Sequence, residues 1–177
     1  PDATGATDSV SQIKTAIMLN PFNDMYRTQL GQSYQEQMLG WLNESRTQQN
    51  AGKTQEAQTA AANAKAAYGL AERAYLDTIG FVPTEYDNYV FLSSLYNQAG
   101  AYFDPAQFEK SIANADRGIA VEPFGPAIRF QQAIALWSQG KAAETAAVLQ
   151  DHVAIDPAST EPRHLYIHAP QALKHLP

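Results

Sequence analysis

Apolar residues along this chain fall at helical spacing, and the pattern is cut repeatedly by a residue–proline step. In residues 16–34, AIMLNPFNDMYRTQLGQSY, one apolar helical ending stops at Asn20-Pro21, and a second pattern opens at once with Leu30, Gly31 and Tyr34. The same arrangement surrounds Val82-Pro83, Glu122-Pro123 and Asp156-Pro157. Four residues before each proline stand Ile17, Ile79, Ile119 and Val153. Nine after the first three come Leu30, Leu92 and Gln132, and thirteen after come Tyr34, Tyr96 and Leu136. A unit of helix end, turn and helix start therefore recurs, which predicts an all-α chain of helix pairs breaking at the four prolines.

Spacing refines the pairs. Pro157 lies 34 residues after Pro123, Pro123 lies 40 after Pro83, and Pro83 lies 62 after Pro21. Both flanks of each proline keep their register, so the surplus falls between the two helices of a pair. The first pair exceeds 34 by 28 residues, which predicts a long helical hairpin over about 24–80. Its first helix runs from about Asp24 to Asn50 and its second from about Gln55 to Gly80, joined at Asn50-Ala51-Gly52-Lys53. Fourteen extra residues per helix are four turns of 3.5, so both helices return to the core in phase. The tip, residues 43–57, is polar, and the returning helix is Ala-rich, which allows close approach. Asp8 is placed to cap a helix over Ser9–Asn20, and Thr84 with Asp87 to form a capping box. Asp104-Pro105 gives a cap with proline in the first turn, and Gly100 and Gly140 suit left-handed helix ends.

A 34-residue period with these residues resembles the tetratricopeptide-repeat (TPR) family over residues 9–157. The likeness rests on Leu30, Gly31, Tyr34, Ala71, Tyr75 and Pro83, then on Tyr89, Leu92, Tyr96, Gly100 and Pro123, then on Leu136, Gly140, Leu149 and Pro157. Ser93 and Ala133 replace a small Gly, Arg129 and Gln132 replace apolar residues, and Gly118 and His152 stand where Ala is usual. The resemblance implies an α-solenoid of about three antiparallel helix pairs, the first elongated. A disordered leader over 1–8 precedes it, and residues 158–177 follow as a capping segment in which Leu165, Tyr166 and Ile167 close the last apolar face.

Composition narrows function by exclusion. Twelve Lys and Arg against 18 Asp and Glu give a net charge of −6, with no basic stripe for nucleic acid. No cysteine is present, so thiolate metal sites and thiol nucleophiles are absent. No apolar run approaches the ~18 residues of a membrane helix. His164 and His168 share a helix face with Glu161 nearby, and read as solvated rather than metal-binding. Glu72 with Asp77 and Asp116 with Glu122 are not spaced to meet, and no catalytic motif occurs. No enzyme activity, metal or cofactor is expected of this stretch. Trp41, among Met38, Leu39 and Leu42, reads as core.

The resemblance also implies which residues face a partner. These are Met25, Thr28, Gln32, Gln35 and Glu36 on the first helix of the first pair. On the second pair they are Asp87, Val90, Ser94, Asn97 and Gln98, and on the third Ala127, Phe130, Ile134, Trp137 and Ser138, with burial of Phe130 and Trp137 under the terminal segment as the alternative. None is Lys or Arg, so an acidic peptide tail lacks charged partners here, and a neutral to apolar protein or peptide segment fits better. The expected function is a non-catalytic protein-interaction scaffold. The 16–34 block is also similar to soluble tails of bacterial O-antigen ligase/polymerase-type membrane proteins. That likeness implies an extracytoplasmic domain linked through its parent to glycan assembly. The alternative is a free cytoplasmic TPR adaptor.

Overall fold

The computed structural model describes residues 3–158, with side chains from residue 9 onward. It contains α1 (Ala3–Leu19), α2 (Asp24–Asn50), α3 (Thr54–Phe81), α4 (Tyr86–Tyr102), α5 (Gln107–Val121), α6 (Pro126–Ser138) and α7 (Ala142–Ile155). No strand occurs among the described residues, so the all-α expectation holds. Each proline sits in the same short turn. The amide before it donates to the carbonyl four residues back: Asn20 to Ala16, Val82 to Thr78, Glu122 to Gly118 and Asp156 to His152, at 2.8–2.9 Å. Val82, Glu122 and Asp156 then leave the helical region, as a residue before proline must. The next helix starts three residues after the proline, at Asp24, Tyr86 and Pro126.

Contacts divide the chain at Pro83/Thr84 into two units. In the first, α1 packs on α2, and α2 with α3 forms the long hairpin. The buried alanines of α3, Ala57, Ala60, Ala64, Ala67, Ala71 and Ala74, keep a three–four alternation, and Tyr75, Thr78 and Ile79 are buried beyond them. Gly31, Tyr34 and Met38 of α2 are buried at the same alternation. This is the heptad seam of an antiparallel coiled coil, and its alanines let the two backbones close up. Ser45 Oγ donates to the Ala57 carbonyl at 2.9 Å, and Gly52 at φ 74° turns the chain at the tip. At the broad end the Tyr75 ring lies directly on Gly31. A Cβ there would come within 2.5 Å of Tyr75 Cε1. The Tyr75 hydroxyl donates to Gln35 Oε1 at 2.8 Å.

In the second unit α4 pairs with α5 and α6 with α7, while α6 also packs on α4 and α5. Its core is unusually polar. Ser111 Oγ donates to the Ser93 carbonyl, Ser93 Oγ to the Ser111 carbonyl, and Asn114 Nδ2 to both the Tyr89 carbonyl and Ser93 Oγ at 2.8 Å. Gln132 Nε2 donates to Asp116 Oδ1 at 2.7 Å. His152, 1% exposed, has Nδ1 at 2.9 Å from the Pro126 carbonyl; a carbonyl only accepts, so that nitrogen carries the hydrogen. The departures from the family pattern at Ser93, Gln132 and His152 are thus hydrogen-bonded core positions.

Several sequence expectations are corrected. α1 takes in residues 3–8, part of the stretch 1–8 read as a disordered leader. Asp8 lies inside α1 rather than capping it. The Thr84–Asp87 capping box does not form: α4 starts at Tyr86 with Glu85 at the cap and no side-chain cap bond. Asp104 does cap a turn, accepting from Ala106 N at 3.0 Å, but the α-helix proper begins at Gln107. Gly100 is interior to α4 without positive φ; it is small because the Phe108 ring would meet a Cβ at 2.8 Å. Gly140, at φ 73°, is the left-handed end that was expected. Trp41 is mostly but not fully buried, and its edge lines an open cleft of about 260 Å³ with Glu44, Gln48, Gln55 and Thr59. The proposed cap over 158–177, with Leu165, Tyr166, Ile167 and the histidines, lies beyond the described residues except for residue 158.

Two outcomes follow from the Gly31–Tyr75 contact. Gly31→Ala forces the buried ring to shift and should cost about 1–3 kcal/mol. Gly40→Ala, on the same helix with nothing within 4 Å of the new carbon, should gain about 1 kcal/mol. Urea unfolding of both variants checks the pair; equal effects would remove the contact as the cause. The second outcome concerns pH. Burial, then the Glu36 charge, raises the Tyr75 hydroxyl well above its ordinary 10.0. The fold therefore holds the neutral phenol, a contribution complete below about pH 10 and lost as pH rises further. Tyr75→Phe should be about 0.5–1.5 kcal/mol less stable at pH 8. That gap should close above pH 10; a constant gap to pH 11 would show an ordinary phenol.

Candidate functional site

α4 and α6 lie against each other in the second unit, and this contact brings two of the three expected residue sets together. Phe130, Ile134 and Trp137 run along one side of α6 at intervals of four and three, each partly buried and partly exposed. Val90 and Ser94 of α4 are half-exposed as well, and Asp87 is exposed. Asn97 differs. It is 6% exposed, and its Nδ2 donates to the Gln131 carbonyl at 2.9 Å and to Gln131 Oε1 at 3.0 Å. It joins α4 to α6 and leaves the face to its neighbours.

The α6 stripe is held from behind. Tyr86 of α4 stands where a side-chain cap is missing: its hydroxyl oxygen accepts from Ile128 N at 2.9 Å. A Cβ on Gly125 would lie 2.4 Å from that ring, so glycine at the cap lets Tyr86 reach the helix end. Burial raises the Tyr86 hydroxyl above the ordinary tyrosine range, with the Ile128 amide opposing. Beneath Phe130 lies His152, ring centres 6.2 Å apart and tilted by 58°. Neither the Tyr86 support nor the His152 platform was visible in the sequence, since each depends on contacts between helices. Gln131 is another partner the sequence did not mark.

Met25, Thr28, Gln32 and Gln35 belong to α2 in the first unit. Met25 is 58% exposed, Thr28 Oγ1 donates to the Asp24 carbonyl, and Gln35 accepts from Tyr75. A recurring pair was overlooked: Phe22 and Phe124, each following a turn proline, are 83% and 75% exposed. Asp116 serves Gln132 instead of forming an acid–base pair. Among the described residues no group of His, Asp and Glu is arranged to hold a metal, and no helix is long and apolar enough to cross a membrane.

No protein-family model matches this sequence, and no curated protein matches it. Solved structures do. A thermophilic TPR protein of Thermus thermophilus, TTC0263, matches with a TM-score of 0.54 at 18% identity, over 90% of this chain and 88% of that one. The first TPR of Spaghetti (RPAP3), bound to HSP90 peptide SRMEEVD, matches with a TM-score of 0.52 at 14% identity, over 78% and 94%. The Arabidopsis OM64 TPR domain matches with a TM-score of 0.52 at 9% identity, over 81% and 99%. With the proline-spaced helix pairs and the small residue ten positions after each of the first three prolines, these likenesses give the chain a TPR-like all-α fold.

Proposed function

We propose that this chain is a non-catalytic interaction scaffold that binds a neutral to apolar segment of a protein partner on the α4–α6 face. The observation that carries this is the partly exposed Phe130–Ile134–Trp137 stripe on a helix fixed at its start by Tyr86 and from behind by His152. A stripe of aromatic and aliphatic side chains on a rigid element costs little entropy to engage, which is the usual character of a binding anchor. The RPAP3 domain is bound to a peptide containing consecutive acidic residues. This chain offers such a peptide no matching charge, because its inner-register positions contain no Lys or Arg. Its nearby arginines serve the turns: Arg27 donates to the Pro21 carbonyl and Arg129 to the Gly125 carbonyl, both at 3.1 Å.

A finer reading places the domain outside the cytoplasm as part of an O-antigen ligase/polymerase-type membrane protein, with a glycan-assembly link through that parent. Its support is the AIMLNPFNDMYRTQLGQSY block alone. A full-length gene without upstream apolar segments of ~18 residues would end this reading and leave the cytoplasmic adaptor.

Trp137→Ala tests the face. A partially exposed anchor should lose about 2 kcal/mol or more of partner affinity with little change in melting temperature. A buried structural tryptophan would instead cost about 3–5 kcal/mol of stability. Peptide-library selection followed by titration at two salt concentrations measures partner class. The expected ligands are neutral and apolar, with affinity nearly independent of salt; selection of acidic tails would overturn the reading.

A further inference from the structure

The α2 side of the hairpin seam runs Gly31, Tyr34, Met38 and Trp41, at intervals of three, four and three. Gly31, Tyr34 and Met38 are buried, but Trp41 keeps part of its indole exposed. On α3, Ala60 and Ala64 are 3% and 0% exposed. Alanines hold the two backbones close, and an indole is too large for the space that they leave. Its edge therefore emerges beside the seam and forms one wall of the open cleft of about 260 Å³. A smaller apolar residue at position 41 would close the seam, so packing of the hairpin alone does not ask for tryptophan.

Two carboxylates line the same cleft, Glu44 from α2 and Glu56 from α3. The bond from Ser45 to the Ala57 carbonyl matches the two helices here, so these positions stand within one helical turn, ~5.4 Å, along the hairpin. Trp41 lies about a turn nearer the base. Both carboxylates are exposed, and neither is paired with a cation among the described residues. No Lys or Arg lines the cleft. The neighbouring polar groups are partly spent as donors. Gln48 Nε2 donates to Glu44 Oε1, which leaves the Gln48 carbonyl oxygen as an acceptor. Thr59 Oγ1 donates to the Gln55 carbonyl at 3.0 Å, so that hydroxyl can only accept from a ligand. The end of the cleft towards the tip is therefore negative and rich in acceptors, while Trp41 and Ala60 make the adjoining wall apolar.

We propose that this cleft binds one aliphatic cation, a primary ammonium on a short methylene stem, with the ammonium between Glu44 and Glu56 and the stem along Trp41 and Ala60. An ammonium brings three donors and no acceptor, which matches carboxylate, amide and hydroxyl oxygens that lack donors of their own. Its bonds to the carboxylates are charge-assisted, and the methylenes cover the indole edge as the stem of a lysine covers apolar surface. An anion would instead meet two negative charges. A neutral polyol brings as many acceptors as donors to a wall of acceptors. The volume suits a ligand the size of one long side chain, below the ~300–1,000 Å³ of drug-sized pockets. The site belongs to the first unit and uses no residue of the Trp137 stripe, so either reading can fail alone.

Calorimetric titration with n-pentylammonium chloride, at ionic strength held constant with sodium chloride, tests the site. Saturable one-to-one binding is expected, and 1-pentanol, the same stem without the charge, should not saturate. Glu44→Gln and Glu56→Gln should each weaken binding by about fivefold or more. Both side chains are exposed, so circular dichroism melts of the variants should match the parent, and either variant alone suffices. The chain has two tryptophans, so Trp137→Phe leaves Trp41 as the one indole. Its emission should then change with the calorimetric midpoint. No saturation by about 20 mM amine overturns the proposal, as does equal binding by both glutamine variants. Binding that leaves the Trp41 emission unchanged places the amine elsewhere and also overturns it. Lysine blocked at both ends separates two sources of the cation: equal binding assigns a lysine side chain of a protein, and exclusion assigns a free amine. Either result upholds the site.

Discussion

Everything in these helix pairs depends on how closely two backbones approach at the tenth residue after each turn proline. That position must be small, and the chain fills it three ways. Gly31 lies under the Tyr75 ring, Ser93 exchanges hydrogen bonds with Ser111, and Ala133 is fully buried on the helix paired with α7. A glycine inside a helix costs roughly 1 kcal/mol in propensity, so Gly31 is tolerated only where a larger loss would follow from separating the helices. The same constraint places Gly118 against Tyr89 and Ile128, where a Cβ would come within 2.9 Å of Tyr89 Cβ. Close approach also explains the hairpin, whose alanines extend the seam for many turns without demanding bulky side chains from the partner helix.

Close packing alone does not fix which residues face each other, and the second unit adds polar pairings that do. Ser93, Ser111 and Asn114 are buried and mutually bonded, so a slip of one residue between α4 and α5 would leave several polar atoms dry and unpaired. Asn97 with Gln131 does the same between α4 and α6, and His152 with Pro126 between α7 and α6. The first unit uses a different device. There the register is set by a ring seated on a glycine, with hydroxyl bonds from Tyr75 to Gln35 and from Ser45 to the Ala57 carbonyl. Two chemistries thus produce one repeat geometry.

The contrast explains what was legible in the sequence. The helix pairs, the hairpin ends and the turn at Gly52 follow from proline spacing and apolar periodicity, which are local signals. The hairpin bounds of Asp24–Asn50 and Thr54–Phe81 differ from expectation by at most a residue. Helix starts were misread where a local cap motif competed with the repeat. Thr84 and Asp87 look like a capping box, but the proline turn sets the start of α4 at Tyr86, and Thr84 then stands one position before the cap. Gly100 misled for a related reason: glycine signals both left-handed turns and tight packing, and only the position of Phe108 tells them apart. Asn97 has the register of the partner face, and the packing of α4 on α6 takes it out of that face.

The distribution of cations ties the packing to the proposed function. Lys110 and Arg117 of α5 lie over the Tyr96 and Tyr89 rings of α4 at 5.4 Å, and Arg27 lies over Phe81 at 4.8 Å. Such contacts hold a long charged side chain along an aromatic surface and strengthen the seams between helices. A cation engaged with a ring or a turn carbonyl is poorly placed to receive an acidic ligand. The α6 residues at the centre of the proposed face are Phe130, Ile134 and Trp137. Where these cations meet rings or turn carbonyls they support the helix pairs, and the α6 residues of the proposed face are apolar. On the proposed face, apolar side chains select by shape and desolvation, and the acidic balance of the chain acts against negatively charged competitors.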